Sequence, residues 1–386
     1  MRVLAGLDCL IADGATQLQD RRVGLATHPA AVTGNLTDSV TALLRCGVTL
    51  TALFAPEHGF SGAVADGQQV PDAVHGDTRL PIYSLYGTTQ ELTPDMLTDV
   101  DVLVFDMQDV GVRFYTFIST LFYVLKGAAK ANVPVVVLDR PNPINGMVSE
   151  GPVLAPGFES FVGVLSIPLR YGLTMGELAR YMNDMQGFRA DLTVISMKGW
   201  RRDLWFDETG LTWVPTSPAI PHISTVMVYP GTCFLEGTNV SEGRGTALPF
   251  EICGAPWIDG MVLADYLNAL ALPGVRFRPT QFVPTASKFA GEVCGGVQLH
   301  VTDRAAFRPV TAGLHLLAAL KALYPADFAW LSQSWEGVHP HIDLLAGTDQ
   351  VRRTLDAGAD VMALVSGWAD AVTDFETMSR RWWLYT

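Results

Sequence analysis

Four short stretches bring side chains capable of acid–base or ligand-holding chemistry together beside turns. "LFAPEHGFSG" (53–62) places Glu57 and His58 at the end of an apolar run. A glutamate on an apolar shelf has its neutral form favoured and then suits a general acid near neutral pH. "FDMQDVGVRFYT" (105–116) offers Asp106, Gln108, Arg113 and Tyr115. Arg113 and Gln108 fit a carboxylate or a set of sugar hydroxyls; an Asp106–Arg113 ion pair under a loop is the structural alternative. "LDRPNPING" (138–146) fixes its backbone with prolines, with Arg140 serving structure or binding and Asn142 presenting an amide. "EGTNVSEGRGT" (236–246) sets Glu236, Asn239, Glu242 and Arg244 among glycines, which let backbone approach a ligand closely. One carboxylate from the first stretch and one from the last could flank a scissile bond, as in glycoside hydrolysis.

Elements that could position these residues are legible from periodicity. "RRVGLATHPA", "VTLTALFAPEHG", "VDVLVFDMQDVG" and "VPVVVLDRPNP" read as apolar strands ending in polar turns. "DSVTALLRCG" and "FYTFISTLFYVLKGAAKA" between them have helical spacing. Continuous apolar strands alternating with helices predict a parallel sheet buried on both faces, a doubly wound α/β fold. Ligands bind beyond the carboxyl ends of such strands, where His28, Glu57, Asp106 and Asp139 fall. "YGLTMGELARYMND" opens on Thr174 with Glu177 three residues on, a capping box that gives Glu177 a structural role. "FRADLTVISMKGW" reads as a further strand. The stretch from Trp213 to Trp257 is rich in Pro and Gly and reads as a long loop. Helices "DGMVLADYLNAL" and "PVTAGLHLLAALKALYP" and the strand "GGVQLHVTD" follow, giving a smaller α+β unit. The division is expected near residue 228, as 1–228 and 229–386.

Composition closes several routes. The 386 residues are 49% hydrophobic and 17% charged with a net charge of −13, a globular make-up that disfavours nucleic acid. Five cysteines lack CxxC spacing and read as free thiols. His28, His58, His75 and His222 are far apart and no HExxH occurs, so no metal is expected. "ATHPAAVTGN" stands where a GxGxxG would follow the first strand, so no dinucleotide cofactor is expected. A GxSxG elbow is missing too. "MRVLAGLDCLIADG" has no long apolar run behind it, so neither a secretory signal nor a membrane span is predicted and the expectation is a cytoplasmic protein, unless a signal has been removed.

"LFAPEHGFSG", "DVLVFDMQDVGVRFYTFIST", "VVLDRPNPING", "EGPVL", "YGLTMGELA", "YPGTCFLEGTNVSEGRGTALPFEICGAPWID" and "KFAGEVCGGVQLHVTDR" together, in order from about residue 20 onward, resemble the bacterial exo-β-N-acetylmuramidase family. The resemblance implies a Rossmann-like domain and a smaller C-terminal domain with the site in the cleft between them. It implies an exo-acting glycoside hydrolase that removes terminal β-linked N-acetylmuramic acid from peptidoglycan fragments without a cofactor. The partner would be a small sugar or muropeptide; oligomeric state is not specified. The family's Glu-His-Gly motif falls on Glu57, His58 and Gly59, with Glu57 as the acid. Its Glu-Gly-Thr-Asn loop falls on Glu236 to Thr246, leaving Glu236 or Glu242 as the second carboxylate or a substrate anchor, with substrate-assisted catalysis through the acetamido group as the alternative to two carboxylates. Arg113 or Arg244 would suit the lactyl carboxylate, and Asp106, Gln108 and Tyr115 the hydroxyls or acetamido group. Phe60-Ser61 and "SPAIPH" (217–222) depart from the family pattern. A non-catalytic sugar-binding protein and an amidase or esterase are the competing readings.

Overall fold

The computed structural model describes residues 2–334 and 337–386. Its centre is a seven-stranded sheet. Strands β1 (Arg22–Thr27), β2 (Thr49–Ala55), β3 (Ala73–Val74), β4 (Pro81–Ser84), β5 (Val102–Asp106) and β6 (Val135–Leu138) belong to it. A ribbon of β7 (Glu150–Val153) and β8 (Pro168–Arg170) comes next in the chain, and β9 (Leu192–Ile195) returns to the sheet. The spatial order is β3-β4-β2-β1-β5-β6-β9, parallel except where β3 pairs with β4.

Alternate strand residues explain why this sheet is covered twice. Val23, Leu25, Val102, Val104, Val136 and Leu138 point to one face, where they meet Leu7 and Leu10 of helix α1 (Gly6–Ala12) and Val40 and Leu43 of α2 (Ser39–Arg45). Ala26, Leu103, Phe105, Val135 and Val137 point to the other, against α3 (Phe117–Ala131) and α4 (Met175–Met185). A period-2 pattern with both phases apolar leaves a strand no wet face, so helices must cover both sides. The fold is thus the doubly wound, Rossmann-like α/β sheet expected. Helix α4 starts as expected: Thr174 accepts from Glu177 N–H while Glu177 accepts from Thr174 N–H. Glu177 is also held by Arg202 at 2.7 and 2.9 Å.

The stretch read as one long loop is more ordered than its composition suggests. It contains α5 (Ile223–Thr232), a 3₁₀ turn over Cys233–Gly237 and β10 (Ile252–Ala255). Helix α5 carries Pro230 internally and three β-branched residues in its first four, which propensity alone would reject. Tertiary packing overrides it. Gly231 lies against Gly313 of α7 (Pro309–Leu323) so closely that a Cβ on Gly231 would stand 1.9 Å from the Pro309 carbonyl oxygen. Residue 228 falls inside α5.

The smaller unit has an antiparallel sheet, ordered β10-β12-β11, with β11 at Val275–Phe282 and β12 at Cys294–Val301. Helices α6 (Gly260–Ala269) and α5 pack on it, α7 packs against both, and short helices beginning with α8 (His341–Ala346) complete the unit. The chain then doubles back onto the first sheet. Tyr385 donates to Asp139 at 2.5 Å, Leu384 N–H donates to Glu177 at 2.9 Å, and Arg202 N–H donates to the Thr386 carbonyl at 3.2 Å. Among the described residues, no helix is long and apolar enough to cross a membrane.

Candidate active site

A cavity of about 360 Å³ opens beyond the carboxyl ends of β2, β4 and β5, within the range of small-ligand sites. Glu57, His58, Tyr115, Glu236, Glu242 and Arg244 all line it. The first three come from the large sheet and the last three from beyond α5.

The turn after β2 delivers the first carboxylate. Pro56 opens it, and Gly59 N–H closes it on the Pro56 carbonyl at 3.0 Å. His58 is held at φ +70°, a left-handed conformation that a non-glycine residue keeps where its surroundings fix it. Its ring supplies that fixing, with Nδ1 2.8 Å from the Val64 carbonyl. A carbonyl only accepts, so Nδ1 carries the hydrogen and Nε2 is the open nitrogen. Glu57 accepts from Gly67 N–H at 2.9 Å on one oxygen and from the Thr116 hydroxyl at 2.7 Å on the other. The Tyr86 hydroxyl lies beside it and is pushed above the usual phenol range by burial and by the Glu57 charge. His28, packed 5.0 Å from the Phe117 ring, is drawn down to about 3 by burial and by neighbouring His58, so it stays neutral.

The opposite wall is an ion-pair network. The 3₁₀ turn after α5 presents Glu236, and the glycine loop presents Glu242 and Arg244. Arg244 donates to Glu236 through Nε at 3.1 Å and also through Nη2, and its Nε lies 3.4 Å from Glu242. Its Nη1 reaches Asp66 at 2.9 Å. Lys288, on the β11–β12 loop, donates to Glu242 at 3.0 Å and to the Leu235 and Val240 carbonyls at 2.9 and 3.0 Å. Burial alone would raise the Glu236 carboxyl, but Arg244 and His341 outweigh it and hold the group well below the usual carboxylate range. The two acids also differ in access: the Glu242 side chain is 2% exposed and that of Glu236 19%.

Five expected ligand residues lie elsewhere, each occupied by the fold. Asp106 pairs with Arg140 at 2.5 and 2.9 Å, not with Arg113. Arg113 is buried and donates to the Pro152 and Ile167 carbonyls at 2.8 Å and to that of Ala346 at 2.6 Å. Gln108 donates to the Asp109 and Pro141 carbonyls, both at 2.8 Å. Asn142 donates to the Leu173 carbonyl at 2.9 Å. Asn239 brackets residues 327–329, donating to the Asp327 carbonyl and accepting from Ala329 N–H. Arg113, Gln108 and Asn142 thus meet buried backbone carbonyls that would otherwise be unpaired. Tyr115 is different: it lines the cavity, and its buried hydroxyl lies against the Thr216 and Ser217 hydroxyls. Phe60 packs edge-on against His75 at 5.1 Å and is not part of the cavity wall, whereas Ser217 and Ile220 of the second departure are.

Tyr86, Thr116, Lys288 and His341 were not singled out by the sequence. Tyr86 follows the short strand β4, whose "PIYSLYG" carries a legible strand-then-turn signal. Lys288 opens the quoted "KFAGEVCGG" motif, but nothing in a lone lysine says which carboxylate it meets. All five cysteines are free, and no group of three or more His, Cys, Asp or Glu among the described residues could hold a metal ion.

Carboxylates facing one cavity across a Rossmann-like sheet and a smaller α+β unit make the architecture of a hydrolase for a small glycan. Residues 23–224 match the family described as exo-beta-N-acetylmuramidase NamZ, N-terminal, and residues 227–385 its C-terminal counterpart. The chain belongs to this family of glycoside hydrolases. It is 44% identical over 385 residues to the peptidoglycan beta-N-acetylmuramidase NamZ of Bacillus subtilis (strain 168), covering 100% of this chain and 92% of that protein. Two crystal structures of DUF1343 family proteins from Bacteroides fragilis NCTC 9343 are similar over 100% of this chain and 99% of theirs. One has 38% identity and a TM-score of 0.92, the other 27% and 0.79.

Proposed function

We propose that this chain releases terminal β-linked N-acetylmuramic acid from peptidoglycan fragments, with Glu57 as proton donor and Glu236 as the second carboxylate. The observation that carries the reading is the unlike environment of carboxylates around one cavity. Glu57 is held by Gly67 and Thr116 without a cationic partner in its hydrogen bonds. Glu236 is paired with Arg244 and held as an anion. Glu57 would pass its proton to the glycosidic oxygen as the bond to the leaving sugar breaks. Glu236 would face the positive charge that develops at the anomeric carbon, as nucleophile or by orienting water. Glu242 is covered and clamped by Lys288, so we give it a supporting role. Tyr115, which lines the cavity, suits contact with the acetamido group or a ring hydroxyl. We place the division between units ahead of Ile223, so that α5 stays with α7.

The test is hydrolysis of a chromogenic β-N-acetylmuramide by the parent and by Glu57→Gln, Glu236→Gln and Glu242→Gln. General acid loss typically costs 10²- to 10⁴-fold, so Glu57→Gln is expected to lower kcat about 10³-fold with KM nearly kept. Glu236→Gln should do likewise. Parent-like turnover in Glu57→Gln would refute the assignment, and a larger loss in Glu242→Gln than in Glu236→Gln would exchange those roles.

A further inference from the structure

An arginine lining a site for an acidic sugar invites the role of receptor for the sugar's carboxylate. The contacts of Arg244 speak against it. Each of the three nitrogens of its guanidinium is already within hydrogen-bond or ion-pair distance of a protein carboxylate: Nε and Nη2 of Glu236, Nε also of Glu242, Nη1 of Asp66. A fourth carboxylate would join three anions around one cation. The Phe250 ring lies 5.0 Å from the guanidinium carbon, so the group is held by an aromatic neighbour as well as by its ion pairs.

The contacts also join parts of the site far apart in the chain. Asp66 and Arg244 are 178 residues apart. The residue after Asp66 is Gly67, whose N–H donates to Glu57. Arg244 therefore touches the second carboxylate directly and the peptide that holds the first at one remove. From this linkage we infer that Arg244 is a positioning residue: it orients Glu236 and anchors the 65–67 loop that holds Glu57, and the substrate's carboxylate is received elsewhere. The inference rests on the hydrolytic reading of the cavity and deepens it. The groups facing Glu236 are Arg244, His341, Cys233 and, one contact further, Tyr229. Removing the guanidinium leaves His341 as its one basic neighbour in that set.

Kinetics and ligand competition with Arg244→Ala, Arg244→Lys and Asp66→Asn separate the two roles. A misplaced catalytic group costs about 10²-fold, so Arg244→Ala is expected to lose about 10²-fold in kcat. Free N-acetylmuramic acid should still inhibit within about twofold of the parent value, because its carboxylate never met the guanidinium. The acid limb of the pH–rate profile should move upward, since Glu236 loses the cation that keeps it ionised. Arg244→Lys keeps the charge without the fork and should recover part of kcat and most of the profile. Asp66→Asn should lower kcat less and leave the acid limb in place. A rise of about tenfold or more in the inhibition constant of N-acetylmuramic acid, with that of N-acetylglucosamine unmoved, would make Arg244 the carboxylate receptor and overturn the proposal. Unchanged kcat in Arg244→Ala would overturn it too. A parent that hydrolyses no muramide refutes the hydrolytic reading instead, and calorimetric binding of the two free sugars to parent and Arg244→Ala then decides the Arg244 question by the same comparison.

Discussion

At the scale of single residues, the fold separates side chains that line the cavity from side chains that face the protein's own backbone. Arg113 shows why sequence cannot make that separation. Its five N–H donors look the same whether they meet a substrate carboxylate or three carbonyls. Only the fold reveals that Nη1 and Nη2 are taken by the carbonyls of Pro152, Ile167 and Ala346. Arg113→Met leaves those carbonyls unpaired in a dry interior and should cost about 3 kcal/mol in urea unfolding. KM for the muramide should remain within about twofold of the parent, whereas a large KM rise at preserved stability would return Arg113 to the ligand. Glu57 was legible for the opposite reason. An apolar strand that ends in a carboxylate has only one kind of place to put it in a parallel sheet, and that place is the ligand edge.

Elements were legible where local preference and tertiary need agree. The strands through Val104 and Val137 are β-branched or aromatic runs and those through Leu25 and Phe54 are apolar ones, and burial on both faces asks for such residues. Helix α5 is where the two disagree. "ISTVMVYPGT" has β-branched residues, an internal proline and a glycine, so the chain signals turn while the neighbouring helix imposes a helix. Gly231 and Gly313 allow the two backbones to meet, and Pro230 costs less than usual because the interface stabilises the turns around it. Gly231→Ala puts a methyl into the Pro309 carbonyl and must separate the helices. It should destabilise by about 2 kcal/mol, read as a lowered Tm, and activity should fall with it because the turn that carries Glu236 begins at the end of α5. A thermally neutral Gly231→Ala would show that α5 is not held by this crossing.

At the scale of the whole molecule, contacts such as Arg113 to Ala346 and Thr311 to Glu150 join the large sheet to the smaller unit, and two further ties respond to solution conditions. The first is the bridge from Arg244 to Asp66, half of it in water and so screened by salt. The second is the end segment that returns Leu384 and Tyr385 to Glu177 and Asp139. Burial raises Asp139 to about 7 from an ordinary 3.8, although Tyr385, Gly176 and Thr174 donate to it. Between those values the folded protein binds a proton that the unfolded chain does not. The stability from the protonated form is therefore complete below about 3.8 and is lost as pH rises through about 7. Urea midpoints at pH 5 and pH 8 should differ less in Asp139→Asn than in the parent. Equal pH dependence in the two proteins would mean that Asp139 titrates no differently folded and unfolded.

That returning segment also orders events in time. Asp139 emerges from the ribosome 246 residues before Tyr385, and Glu177 emerges 207 residues before Leu384. The large sheet can collapse early, because its strands and both helical layers are complete by Ile195. Asp139 and Glu177 nevertheless each wait for one partner that is synthesised last. The first half of the chain is thus made well before the residues that complete its buried hydrogen bonds.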